Sequence, residues 1–339
     1  MKAAASDILA AHHVDENIRL HVVPNDRVWL RDSAPTFVRN DSGAITLMNW
    51  GFNAWAKYPN FARDAKVGRA IETITGIPRV EPRRSDTRKR LILEGGGIET
   101  DGAGTLLVTE EWLLSDVQVR NPGFDRAAYE KAFKDFLGIR QTIWLGEGCV
   151  GDDTHGHVDD IARFVTPDTI VLAVEEDPGD ENHERSMDNL RRLELAIEDP
   201  AVGALRIVTL PFPRPVTMNG ERLPASYANF YIANGVVIVP TFNDVNDRIA
   251  LDTLARVMPK PLSRIQLLCA RLLTPPAPAN TRPLKMSEIG MTFESGSRPK
   301  FVTACGRSAH ADGPMAATMA TVRNTSVSPT LKNCARSSV

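Results

Sequence analysis

The feature that most constrains the fold is a repeated alternation of short apolar runs with longer amphipathic stretches. The apolar runs predict strands at 18–23, 36–39, 44–50, 91–93, 105–109, 142–145, 161–166, 169–174, 204–209, 230–233 and 236–240. Helical periodicity predicts helices at 61–75, 126–137, 183–197 and 247–257. The order is strand, strand, helix, strand, repeated roughly every 50–65 residues, which predicts a modular α/β fold rather than one doubly wound sheet.

Local signals support these boundaries. Asn234-Gly235 stands between two predicted strands and is the strongest short hairpin signal in the chain. Asp101-Gly102 predicts a second turn. Asp125 and Asn246 are the predicted N-caps of the helices that follow them.

A sharp change in composition divides the chain near residue 259. Residues 260–339 hold 11 basic and 3 acidic side chains, whereas the preceding part holds 29 basic and 39 acidic ones. Prolines interrupt every periodic pattern from 259 to 283. We therefore predict a folded domain over 18–258 and a divergent, basic tail over 259–339 that is disordered or poorly packed.

Overall composition excludes several classes of function. The formal net charge is -2, no stretch approaches a membrane span of roughly 20 apolar residues, and the N-terminus is too weakly apolar for a signal peptide. We expect no nucleic-acid partner and no membrane. Four irregularly spaced cysteines predict reduced thiols and a cytoplasmic protein.

Two histidines and four carboxylates crowd the segment from 151 to 160, GDDTHGHVDD. One interpretation is a polar loop between strands. A second is a metal site, because His155, His157 and Asp159 share a face if the segment is extended. A third is an acid/base His157 whose tautomer and pKa are set by Asp159. The segment alone does not choose among them.

Two other segments carry isolated charges in unusual settings. Trp29 precedes Asp32 by three residues, and a flat indole beside a carboxylate suits a planar cation, although a local ion pair in the Arg31-Asp32 dipeptide is the simpler interpretation. Glu94 is followed by three glycines and a predicted hairpin rather than a helix, which disfavours a phosphate site. The glycines would instead let backbone approach a ligand that Glu94 faces.

Aromatic clusters at 50–55 and 223–231 could wall a pocket, but core packing is their default interpretation. If Asp32, Glu94, His157 and Asp159 converge, several carboxylates surround one imidazole. The ligand that suits such a site is a guanidinium, which carboxylates bind through paired N–H donors. Its hydrolysis requires either metal-bound hydroxide or a thiolate nucleophile with an acid/base histidine.

Five segments in this order resemble one family. WLRDSAPTFV (29–38), LEGGGIETDGAGTLLVTEEWLL (93–114), RNP (120–122), GDDTHGHVDDIARF (151–164) and LPASYANFYIANGVVIVPTFNDVND (223–247) are similar to agmatine deiminase and the bacterial-type peptidyl-arginine deiminases. The resemblance implies the pentein fold, an α/β-propeller of ββαβ modules. It also implies that this propeller is incomplete at the N-terminus and in the last module.

The resemblance also assigns roles by position. It implies that Asp32, Glu94 and Asp159 bind guanidinium nitrogens and that His157 is the general acid and base. Trp29 and Asp153 would contact the substrate. No cofactor and no metal are implied, the partner is a small cationic guanidine, and a homo-oligomer stays open.

The family's nucleophilic cysteine is expected near Asn280, in a glycine-rich segment, but the sequence there is LTPPAPANTR (273–282). A change of reading frame would explain this loss together with the composition shift. Cys149, eight residues before His157, is the alternative candidate.

Four functions therefore remain open from the sequence. The first is hydrolysis of agmatine to N-carbamoylputrescine and ammonia through a cysteine-linked thiouronium, as in polyamine metabolism. The second is deimination of peptidyl-arginine. The third is a non-catalytic remnant that binds guanidines, and the fourth is a metal-dependent ureohydrolase.

Overall fold

The computed structural model describes residues 2–11, 18–200, 202–233 and 236–258, together with short strands at 264–265, 300–304 and 316–322. Within these residues, four units of the same topology follow one another. Each unit is a three-stranded sheet in which an antiparallel pair is followed by a helix and then by a third, parallel strand. This is the strand, strand, helix, strand order that the periodicity predicts.

The strands of the first two units are β2 (Thr36–Arg39), β3 (Ile45–Met48), β4 (Arg79–Val80), β5 (Glu99–Thr100), β6 (Thr105–Thr109) and β7 (Gln141–Leu145). Helix α3 (Val67–Thr75) connects β3 to β4, and α5 (Arg126–Leu137) connects β6 to β7. The strands of the other two are β8 (Ala162–Thr166), β9 (Thr169–Val174), β10 (Arg206–Pro211), β13 (Tyr231–Ala233), β14 (Val236–Ile238) and β15 (Arg264–Ile265). Their helices are α6 (Asn182–Ile197) and α7 (Asn246–Val257).

Smaller elements complete the described chain. They are α1 (Lys2–Ala11), β1 (Ile18–Pro24), α2 (Leu30–Ser33), α4 (Glu110–Leu114), the hairpin β11 (Thr217–Met218) with β12 (Glu221–Arg222), β16 (Lys300–Ala304) and β17 (Ala316–Val322). Strand β1 pairs antiparallel with β17, which pairs with β16. The sequence predicted no element at 300–304 or 316–322, so the structure differs from the prediction at these two strands. Strand β15 also lies in the predicted tail, where the sequence predicted no element, and the remaining tail residues lie outside the described residues.

The local signals have mixed outcomes. Asp125 caps α5 by accepting a hydrogen bond from the Ala128 amide at 2.9 Å, as predicted. The Asn246 cap is wrong: the helix already includes Asn246, and its side-chain amide donates instead to the Phe212 carbonyl at 2.8 Å. The strand predicted at 91–93 is reduced to a single parallel bridge between Gly51 and Ile92, and the other edge of Ile92 pairs with the Asn121 side chain instead of a strand.

Hydrophobic clusters join neighbouring units to one another. Strands β6 and β9 are buried along their whole length, so each is covered on both faces. One cluster continues from Leu107 and Leu145 through Val158 to Leu172 and Leu193, linking two sheets to the turn that follows His157. The loops at the strand ends thus rest on a rigid apolar base. None of the helices within the described ranges is long and apolar enough to cross a membrane.

Candidate active site

Four side chains that the sequence singled out meet around Gly96. Asp32 lies in the one-turn helix α2, and Glu94 precedes a turn of 3₁₀ helix at Gly95–Gly97. His157 immediately precedes a second such turn, Val158–Asp160, and Asp159 lies within it. All four are buried, with at most 8% of their surface exposed.

The space around Gly96 shows how closely these side chains approach one another. A β-carbon placed on Gly96 would lie 2.6 Å from Asp32 Oδ1, 2.7 Å from His157 Nδ1 and 3.0 Å from Asp159 Oδ2. The Gly96 amide donates to Asp32 Oδ1 at 3.0 Å. Only glycine fits here, which agrees with the expectation that the glycines permit close approach of backbone.

His157 lies between two carboxylates. Its Nδ1 is 3.7 Å from Asp32 Oδ1 and its Nε2 is 3.5 Å from Glu94 Oε2. Nε2 is buried and makes no aligned hydrogen bond to any side chain in the described part of the chain. The imidazole is therefore held between two carboxylates by charge attraction rather than by an aligned hydrogen bond at Nε2.

These surroundings change the pKa of the imidazole. Burial alone would lower the pKa of His157, but the Asp32 carboxylate, followed by Glu94, raises it to about 9. His157 is therefore protonated at neutral pH when the site is empty. As an imidazolium it can donate a proton before it accepts one.

The two flanking carboxylates have opposite pKa shifts because their partners differ. Burial raises the pKa of Asp32 to about 6, since its donors are the neutral Trp55 indole at 3.2 Å and the Gly96 amide. Burial also disfavours ionisation of Glu94, but the Arg120 guanidinium, with His157 and Trp112, lowers its pKa below the ordinary value. Glu94 is the more firmly charged of the pair.

Asp159 completes the cluster from the other side. Its Oδ2 accepts from Arg31 Nη1 at 3.1 Å, so the Arg31-Asp32 dipeptide makes an ion pair across 128 residues rather than a local one. Arg31 also donates to the Phe230 carbonyl at 3.1 Å. This arginine fixes Asp159 relative to Asp32, its neighbour in the chain.

Trp29 and Asp153, the two predicted substrate contacts, lie outside the buried cluster. Trp29 is 46% exposed at the start of α2. Asp153 is on an exposed loop, where it bonds to Lys57 and accepts from the Tyr58 hydroxyl at 2.7 Å. Both side chains therefore lie outside the buried carboxylate cluster. Tyr58, which donates to Asp153, also packs edge-on against the Trp55 ring.

The geometry required by the metal interpretation is absent. His155 has a left-handed backbone, φ 63°, so the segment from His155 to Asp159 is not extended. His155 contacts Ser115 Oγ at 3.0 Å and Glu111 at 3.6 Å, away from the His157 cluster. Within the described ranges, no three or more His, Cys, Asp or Glu side chains are grouped to hold a metal ion.

Cys149 is a core residue. It is 3% exposed and packs in the apolar cluster with Val158 and Leu172. Burial, then the nearby carboxylates, raises the pKa of its thiol well above the ordinary value. A neutral, enclosed thiol is a poor nucleophile, so the Cys149 interpretation gains no support. The position near Asn280 lies outside the described residues.

Sequence reasoning missed three side chains that contact the cluster. The Trp55 indole donates to Asp32, and the Trp112 indole donates to Glu94 at 2.6 Å and meets the His157 ring edge-on. The third is Arg120, 3.3 Å from Glu94. All three lay in segments that the sequence did mark, the aromatic cluster at 50–55, the motif at 93–114 and the RNP motif, but none of these segments indicated a partner.

Comparisons with known proteins agree with the resemblance. Residues 1–273 match the family described as Porphyromonas-type peptidyl-arginine deiminase, which extends beyond the 18–258 expected from the motifs. A putative agmatine deiminase of Latilactobacillus sakei is 37% identical over 273 residues, covering 74% of this chain and 72% of that protein.

Two solved structures are also similar. The agmatine deiminase of Enterococcus faecalis is 33% identical and superposes with a TM-score of 0.63, covering 72% of this chain and 70% of that one. A substrate-bound cysteine-to-serine variant of agmatine deiminase from C. jejuni is 28% identical, with a TM-score of 0.59 over 70% of this chain and 66% of that one.

Proposed function

The chain belongs to the Porphyromonas-type peptidyl-arginine deiminase family, and from this premise we propose that the cluster around Gly96 is its guanidine site. The family comprises hydrolases that act on the C–N bonds of guanidines. The observation that carries the proposal is the convergence of Asp32, His157 and Asp159 on one point beside Gly96, with Glu94 on the far side of the imidazole.

A guanidinium satisfies what this cluster lacks. It is planar, permanently charged and rich in N–H donors, and the carboxylates of Asp32, Glu94 and Asp159 retain acceptor capacity beyond their present partners. Their burial excludes water, which strengthens each charge-assisted hydrogen bond. A second cation beside His157 would favour loss of its proton, as an acid/base group requires.

We further propose agmatine as the substrate, on the strength of the relatives named agmatine deiminase. By family resemblance, a cysteine thiolate attacks the guanidinium carbon and ammonia leaves with the proton of His157. Water, deprotonated by His157, then hydrolyses the thiouronium to N-carbamoylputrescine and releases the thiolate. In this proposal the described residues supply the binding carboxylates and the acid/base group.

The domain and the propeller are part of the same proposal. We propose residues 18–258 as the deiminase domain, which β15 (Arg264–Ile265) extends as the third strand of the fourth unit, and the remainder of 259–339 as a divergent tail. The four units of repeated topology would be blades of a pentein propeller, an arrangement that the resemblance and the similar solved structures support.

A second function has its own supporting observation. The sequence has no cysteine from 270 to 304, and Cys149 is enclosed in the core. A site that keeps its carboxylates without a nucleophile would bind guanidines and leave them intact. The family's description makes peptidyl-arginine the alternative ligand.

Ammonia release from the purified full chain tests these alternatives. Agmatine and an arginine-containing peptide are supplied in parallel, with and without iodoacetamide and EDTA. Turnover that iodoacetamide abolishes and EDTA spares supports the deiminase. Loss of turnover in EDTA would favour the metal-dependent alternative. Agmatine binding without turnover would indicate the non-catalytic protein, and neither binding nor turnover would refute the guanidine site.

A further inference from the structure

The RNP segment, residues 120–122, belongs to no step of the proposed function, yet two of its side chains contact the region of Glu94. Arg120 and Asn121 are both buried, at 3% and 4% exposure. Asn121 pairs with the backbone of Ile92: its Oδ1 accepts from the Ile92 amide at 3.0 Å, and its Nδ2 donates to the Ile92 carbonyl at 2.7 Å. The side-chain amide thereby replaces a neighbouring strand two residues before Glu94.

Arg120 contacts three separate parts of the site. Its Nε is 3.3 Å from Glu94 Oε1, its Nη1 donates to the Gln118 carbonyl at 2.8 Å, and its Nη2 donates to the Thr154 carbonyl. Thr154 belongs to the loop that leads into His157, and Asp152 closes that loop by accepting from the His157 amide at 2.9 Å. One planar side chain thus relates the Glu94 carboxylate to the loop that carries the histidine.

The contact between Arg120 and Glu94 matters because it pairs two buried, oppositely charged groups. Glu94 and the Arg120 side chain are both fully buried. A carboxylate in that position without a cation would be neutralised by protonation, because burial strongly disfavours its charge. The other titratable groups facing Glu94 are His157, Asp32 and the Tyr129 hydroxyl. Of these only His157 can carry positive charge, and it must give up its proton during acid/base work.

We propose that Arg120 is a positioning residue of the guanidine site, which holds Glu94 in its charged form and in register with His157. Unlike the imidazolium, the guanidinium never loses its charge in the accessible pH range. Glu94 therefore stays an acceptor for substrate N–H groups while His157 changes its protonation state. The effect of Arg120 on ligand binding rests on the proposed function, whereas its effect on the ionisation of Glu94 does not.

The test is a pH titration of Glu94 by NMR of protein labelled with ¹³C at the glutamate side-chain carboxyl, with Glu94→Gln identifying the signal. In Arg120→Met we expect the midpoint of Glu94 to rise by about one pH unit or more. Arg120→Lys keeps a positive charge, so its Glu94 midpoint should lie between those of wild type and Arg120→Met. Asn121→Ala is the matched control: it removes the contacts to Ile92 and to the Tyr129 hydroxyl but keeps Arg120, and it should leave the midpoint unchanged, whatever it does to the melting temperature.

Agmatine binding by calorimetry from pH 6 to 9 supplies the second measurement. We expect Arg120→Met to bind about tenfold more weakly than wild type at pH 7, with the difference narrowing as pH rises and Glu94 ionises. If Arg120→Met does not fold, Arg120→Lys is compared with Asn121→Ala, and only the lysine variant should shift the midpoint.

An unshifted midpoint in Arg120→Met, or an equal shift in Asn121→Ala, overturns the proposal, as does a loss of affinity that is the same at every pH. Wild-type protein that binds no agmatine would contradict the proposed function instead. The ligand-free titration of Glu94 still decides the role of Arg120 in that case.

Discussion

His157 Nδ1 lies 3.7 Å from Asp32 Oδ1, although the two residues are 125 positions apart in the chain. Of the groups that raise the pKa of His157, Asp32 has the largest effect. We predict that Asp32→Asn lowers that pKa from about 9 by roughly one unit or more. A ¹⁵N titration of the imidazole measures it, with Asp153→Asn as the exposed control. An unchanged midpoint in Asp32→Asn would contradict the assignment.

Agmatine binding should release protons. A guanidinium beside His157 and Asp32 lowers both pKa values, about 9 and about 6 in the empty site, because it disfavours the imidazolium and favours the carboxylate. Affinity therefore rises with pH through 6 and continues to rise towards 9. Calorimetry in two buffers of different ionisation enthalpy gives the number of protons released. Proton uptake on binding, or an agmatine affinity that falls between pH 6 and 9, would contradict this prediction.

Gly96→Ala should abolish guanidine binding, since its new methyl group would lie within 3.0 Å of Asp32, His157 and Asp159. Gly179→Ala is the control, because the three atoms nearest its β-carbon all belong to the Asp177 side chain, at 3.2 Å or more. Agmatine affinity of the two variants is compared after circular dichroism verifies that each is folded. Equal affinity in Gly96→Ala and wild type would show that the ligand binds elsewhere.

Cys149→Ser should leave agmatine affinity unchanged and lower the free energy of unfolding by about 1–2 kcal/mol, since it puts a hydroxyl into an apolar cluster. Urea denaturation gives the stability change. Iodoacetamide should modify Cys149 slowly in native protein and quickly in urea, which peptide mass mapping follows. Rapid modification in native buffer that agmatine prevents would instead place Cys149 at the site.

Particular residues show what the sequence could predict. Helix α5 and strand β9 fall where the sequence placed them, because the amphipathic period of α5 and the short continuous apolar run of β9 are both local patterns. The Asp125 cap is likewise local. The sequence placed the Asn246 cap one residue too late, since Asp244 and Asp247 already bond the backbone amides at the helix start.

The site was predictable only as a set of residue types. Asp32, Glu94, His157 and Asp159 were found because charged residues beside glycine and aromatic residues are conspicuous, and because the family resemblance grouped them. Trp55 and Arg31 were not found as partners, since their contacts to Asp32 and Asp159 join positions 23 and 128 residues apart. Nothing local in the sequence encodes such pairs.

The most direct test of the guanidine site is a calorimetric titration of the full chain with agmatine at pH 8, beside Glu94→Gln and Asp159→Asn. We predict one site per chain, affinity weaker by about tenfold or more in each variant, and no comparable binding of 1,4-diaminobutane, which lacks the guanidine. Equal affinity in wild type and Glu94→Gln, or equal affinity for the diamine, would contradict it.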